Sequence, residues 1–202
     1  PRTITVTVTD GVATSATATT TVNVTDVPAP VLDLDANDST ASGTGYLGTF
    51  TENGAAVRIG DLDLSLTDTG NIASVTVTLI NPKAGDVFAV GGLPPGITAS
   101  ISGNVVVLSG SATPVAYQTA ISAITFNNTA DSPDTTPRTI TVTASDGTYM
   151  SNTATATINV VQANEAPILD LDASNNTVAG TGYNTFFSTV VPSAVAIADT
   201  DV

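Results

Sequence analysis

The chain has 202 residues, enough for one complete core and part of another, because single domains usually run to about 100–150 residues. Eighteen acids stand against four bases, Arg2, Arg58, Lys83 and Arg138, and a formal charge of −14 argues against nucleic acid and anionic membrane as partners. No cysteine is present to form a disulfide, and no histidine or cysteine is available for zinc, copper or iron–sulfur ligation.

In chain order, residues 1–11, "PRTITVTVTDG", alternate Thr with Ile and Val, the period of a half-buried strand, and end on a tight-turn signal, Asp10-Gly11. This opening lacks the basic, apolar, small-residue order of a signal peptide, and no apolar run approaches the roughly 20 residues that span a bilayer, so no membrane insertion is expected. Strands are predicted near 30–35, 57–66, 72–80, 86–90, 96–101, 104–109, 121–127, 138–145 and 152–161. Val75, Val77 and Leu79 share one strand face, Ile140, Val142 and Ala144 another, and Ala154, Ala156, Ile158 and Val160 a third, with Thr and Ser opposite. "ATPVAYQTA" reads differently: Thr113 can cap and Pro114 can occupy the first position of a brief helix linking two strands. "GGLPPG" at 91–96 lacks the Lys and following helix of a phosphate loop and reads as a turn, and Tyr46 and Tyr183 in "GTGY" read as loop anchors rather than sugar-stacking rings.

The chain repeats itself. "PRTITVTVTDG" matches "PRTITVTASDG" at 137–147, "PVLDLDA" matches "PILDLDA", and "GTGY" occurs at 43–46 and 180–183. Asp10 and Asp146 are 136 positions apart, Asp33 and Asp170 137, and Asp61 and Asp199 138, a drift that single insertions in loops explain. A period near 137 suits a tandem array of whole domains. Residues 1–26 are then the last strands of one repeat, 27–163 a complete repeat, and 164–202 the opening of the next.

The stretch from "GDVFAVGGLPPGITASISGN" through "TTPRTITVTASDG", and the "ANEAP" junction, resemble cadherin-like, immunoglobulin-type tandem repeats of very large bacterial surface adhesins, including biofilm-associated and RTX-type adhesins. The resemblance covers essentially the whole chain and implies an all-β, Greek-key β-sandwich of about seven strands. Periodicity by itself reaches only an all-β domain with a terminal hairpin, which a jelly roll or fibronectin-type sandwich also satisfies.

Alternation sends Leu32 and Leu34 inward and Asp33 and Asp35 outward, and places Asp61 and Asp63 opposite Leu62, Leu64 and Leu66. Carboxylates gathered at the ends of a sandwich repel unless they are solvated or share a cation, and a donor set made only of oxygens suits Ca2+ best. Similarity to cadherin-like junctions implies one site with Asp26, Glu52, Asp61 and Asp63 and a second with Asn164, Glu165, Asp199 and Asp201, Asp146 being a further candidate. The first junction departs from the family pattern in reading Thr25-Asp26-Val27-Pro28, Thr189 stands where Glu52 would align in the second repeat, and the "LDRE" signature is absent.

Without His or Cys, and with Lys83 in the loop "NPKAGD", catalysis is not expected. The expected function is a structural spacer repeat of a secreted adhesin, stiffened by Ca2+ at its junctions, extracellular, and partnered by neighbouring repeats of its own chain in cell adhesion or biofilm formation. A building block of a filament or surface layer, and a glycan-binding module, are the alternatives.

Overall fold

The structure, a computed structural model, describes residues 1–24, 27–171, 182 and 196–198. It opens on a hairpin of β1 (Arg2–Val6) and β2 (Ala18–Val22). Residues 27–163 contribute β3 (Val31–Asp33), β4 (Tyr46–Thr51), β5 (Val57–Arg58), β6 (Ser65–Thr67), β7 (Ile72–Leu79), β8 (Asp86–Val90), β9 (Thr98–Ser102) and β10 (Val105–Ala112). Helix α1 (Pro114–Ser122) follows, then β11 (Ile124–Asn128), β12 (Arg138–Ser145) and β13 (Ala154–Val161). Beyond them β14 (Ile168–Asp170) pairs with β15 (Ala196–Ala198).

Residues 27–163 form an all-β sandwich. One layer is a six-stranded sheet in the order β4-β13-β12-β7-β10-β9; opposite it lie the three-stranded sheet β5-β11-β8 and the β3-β6 pair. The alternating strands do what their period dictates: in β12, in β13 and in β7 from Val75 onward every second residue is buried, and Val77, Ile140, Val142, Ala154 and Ile158 are all fully enclosed. Phe50 of β4 meets Phe126 of β11 edge-on across the layers, with ring centroids 5.9 Å apart, and Phe88 closes on the same ring at 6.4 Å. Helix α1 forms where its cap predicts: the Thr113 side chain accepts from Ala116 N–H, Pro114 takes the first turn, and Tyr117, Ala120 and Ile121 enter the core.

Two expectations change. Between 27 and 163 the described residues form eleven strands rather than about seven, because the leading segments break into the short pieces β3, β5 and β6 and the hairpin β9–β10 extends the large sheet. The predicted strand 57–66 is interrupted: Asp61 N–H donates to Leu34 O (2.8 Å), Leu64 N–H donates to Asp61 O (3.4 Å), and Leu62 sits on the outside of the turn, 79% exposed. Strand β4 was not predicted. Its inward positions are Tyr46, Gly48 and Phe50, and Gly48 interrupts the apolar rhythm because a Cβ there would lie 2.9 Å from Ile158 Cδ1.

β4 runs parallel to β13, Tyr46 opposite Ala156 and Thr51 opposite Val161, so both strands end on the same pole of the sandwich. There the chain leaves toward β14. The hairpin β1–β2 has the register of β12–β13 shifted by one period, Arg2 opposite Val22 matching Arg138 opposite Ile158, and Gly11 and Gly147 share φ = 96° in the turn. The surroundings differ: Ile4 and Val6 are about half exposed where Ile140 and Val142 are buried.

Candidate metal centre

The exit pole gathers acids from three segments. As β4 ends, Glu52 N–H still donates to Val161 O (2.8 Å); Asn53 then turns left-handed (φ 58°), a conformation asparagine tolerates, and Gly54 N–H donates back to Thr51 O (2.9 Å). This turn tucks Glu52 into the domain with 3% of its surface exposed. Its Oε2 accepts from Ala163 N–H at 3.0 Å, whereas Oε1 is buried and has no hydrogen-bond partner among the described residues. The Asn53 amide donates to Glu165 Oε1, which brings the departing chain to the same place.

The third acid, Asp131, comes from the loop between β11 and β12, and that loop is held from beneath. Arg138, fully buried, pairs through Nε with Asp86 Oδ2 at 2.8 Å and donates through one terminal nitrogen to Asp134 O (2.7 Å) and Thr136 O. The Asn128 amide donates to Asp86 Oδ1 (2.7 Å) and Ala84 O (2.9 Å), and its carbonyl oxygen accepts from Ala130 N–H (2.8 Å). Lys83 reaches Asp134 at 3.1 Å, and the Thr136 hydroxyl and N–H, with Lys83, hold the Asp134 carboxyl well below the usual carboxylate range. Gln162 donates to Ser132 Oγ (2.8 Å), tying the loop to the exit strand.

Carboxylate oxygens of Glu52, Asp131 and Glu165 lie within 4.8 Å of one another, beside a polar hollow of about 270 Å³ lined by Asn53, Gly54 and residues 127–131. At that separation and an effective dielectric near 20, each pair of unit charges repels by about 3.5 kcal/mol. A buried carboxylate oxygen without a donor adds to the cost. The residues fit a hard divalent cation, because Ca2+ takes oxygens at 2.3–2.6 Å and three oxygens this close can share one ion.

A second group, Asp35, Asp61 and Asp63, also has oxygens within 4.8 Å of one another. Asp35 contradicts the outward placement predicted for it: the loop 39–41 closes over it, and its oxygens accept from Ser39 N–H (3.1 Å), Thr40 N–H and hydroxyl (both 2.6 Å) and Ala41 N–H (3.0 Å). The Thr40 hydroxyl leads in keeping this carboxyl well below the ordinary range. With about four lone-pair sites to offer, Asp35 is occupied as a loop anchor. Ser39 Oγ lies 3.1 Å from Asp35 and 3.0 Å from Asp61, Leu62 N–H donates to Asp61 (2.7 Å), and Asp63 Oδ1 is buried without a partner among the described residues.

The residues named from sequence are thus sorted differently. Glu52 groups with Glu165 rather than with Asp61 and Asp63, because the parallel β4–β13 pairing carries it to the exit pole. Asp146 lies in the β12–β13 turn, at the opposite end of β13 and roughly 25 Å of strand from Glu165. Its Oδ1 accepts from Tyr149 and Thr148 N–H (both 2.6 Å), which lowers its pKa, so it closes its own turn. Asn164 is exposed and donates to Glu165 O (3.3 Å). Asp26, Asp199 and Asp201 lie outside the described residues. Asp131 was not singled out from the sequence; its available signal was an acid in the loop just ahead of "PRTITV".

Neither protein-family models nor curated proteins show a match to the chain.

Proposed function

We propose that the chain is a spacer segment of a secreted bacterial surface adhesin, built from tandem β-sandwich repeats whose junctions are stiffened by Ca2+, extracellular in location and supporting cell adhesion or biofilm formation. The observation that carries this reading is the buried Glu52 carboxylate, one oxygen without a donor among the described residues, converging with Asp131 and Glu165 where the polypeptide passes toward β14. Ca2+ bound there would supply positive charge that offsets the mutual repulsion of the three acids. Glu52 and Asp131 belong to the sandwich and Glu165 to the departing chain, so an ion shared among them would tie that chain to the pole. The repeated register of β1–β2 and β12–β13 supports the array.

The test is thermal unfolding and small-angle scattering in Ca2+ and in EDTA. A ligand at a hundred times its Kd stabilises by about 2.7 kcal/mol, so chelation should lower Tm by several degrees and shorten the mean end-to-end extent. Identical melting and scattering in both buffers would remove the proposal.

A further inference from the structure

We infer that the free edge of β9 is a strand-addition site that takes the same edge of a second copy of this chain. Among the described residues β9 is the terminal strand of the six-stranded sheet, joined only to β10, and all five of its residues, Thr98 to Ser102, are exposed. An edge strand presents a row of backbone N–H and C=O groups that only another extended segment can satisfy in register, and proteins usually blunt such edges with charge, proline or a bulge. Of the other edge strands of the two main sheets, β5 carries the exposed Arg58. β9 has no charge, proline or bulge within it.

The identity of the occupant follows from charge and register. Two chains of net charge −14 repel one another over most of their surfaces. No charged residue occurs from Val87 through Ala130, a span containing β9 and its neighbour β10, and β7 beyond them has none either. This end of the sheet is therefore where two copies approach with least opposition. An antiparallel pairing centred on Ser100 sets Ser100 against Ser100, Ile101 against Ala99 and Ser102 against Thr98. Ile101, 48% exposed, thereby meets a small neighbour twice about the two-fold axis. A five-residue pairing is short, so the association is weak, on the order of 0.1–1 mM for a single pair.

Sedimentation equilibrium of the 202-residue chain up to about 1 mM should show a monomer–dimer equilibrium that Ile101→Lys and Ser100→Pro each weaken at least about tenfold, with the thermal transition retained. Because the chain has no cysteine, Ser100→Cys places a single thiol on the axis, at a Cα separation that a disulfide can span. It should cross-link faster than Val115→Cys, whose side chain is also exposed, and Ile101→Lys should slow it to the Val115→Cys rate. A chain that stays monomeric at about 1 mM, a dimer indifferent to Ile101→Lys, or equal cross-linking of the two cysteines would each overturn the inference.

Discussion

Glu52 and Ala163, 111 positions apart, are joined by one hydrogen bond: the Ala163 N–H donates to Oε2 at 3.0 Å, while Oε1 of the same carboxylate is buried without a donor among the described residues. Glu52→Gln keeps an oxygen for Ala163 and removes the charge. Calorimetric titration should show Ca2+ affinity falling at least about tenfold. In EDTA the order reverses: the variant should be at least as stable as the parent, since a charge pressed against two other acids has gone. Unchanged Ca2+ binding in this variant would exclude Glu52 as a ligand.

The Arg138–Asp86 pair is buried on both sides, with side chains 0% and 1% exposed. Arg138→Ala strands Asp86 in the interior and should cost about 3–5 kcal/mol in a denaturant titration. The double substitution Arg138→Met with Asp86→Leu should recover part of that loss, because no charge is left unpaired in the interior, although the Asn128 amide and Lys83 N–H lose an acceptor. Since the same network holds the loop bearing Asp131, the double variant should fold yet bind Ca2+ more weakly than the parent.

Asp35 provides a pH signature. Its folded pKa lies below the ordinary value of 3.8, so its charged form stabilises the native state fully above that value, and the contribution is lost as pH falls through the lower folded pKa. Asp35→Asn should therefore be less stable than the parent at neutral pH, and the gap should narrow steadily below 3.8. Urea midpoints of both proteins across that range measure it; a gap that stays constant would contradict the anchoring role.

Gly48→Ala tests the close approach of β4 to β13. The added methyl would meet Ile158 Cδ1 at 2.9 Å and Tyr46 Cε1 at 3.1 Å, an overpacking that should cost about 1–3 kcal/mol. Combining it with Ile158→Val, which removes that Cδ1, should give a double variant more stable than the sum of the two single losses. Strict additivity in the double-mutant cycle would mean the clash is relieved elsewhere.

Much of the sandwich was legible because alternation is a local signal. β7, β8, β12 and β13 follow from it, and α1 follows from Thr113 and Pro114. β4 was hidden because its central inward position is a glycine whose reason, Ile158, lies more than a hundred residues away. The run 57–66 misled because Leu62, Leu64 and Leu66 suit a strand face equally well, and only the Asp61–Leu34 hydrogen bond reveals the turn. The acids themselves were visible, but their grouping was not. Which pole Glu52 occupies depends on a parallel pairing between distant strands, and such pairing leaves no trace in the spacing of either one.

The β4–β13 pairing also decides how the sandwich would respond to tension. The polypeptide enters ahead of β4 and departs beyond β13, and the two strands point the same way along six paired positions. Traction applied at the entering and departing ends acts first on the short β3–β6 pair and, once that has opened, drags β4 and β13 past each other lengthwise. The ladder between them must then yield as a block rather than peel rung by rung, so tensile strength is concentrated in the strands that frame the Glu52 turn.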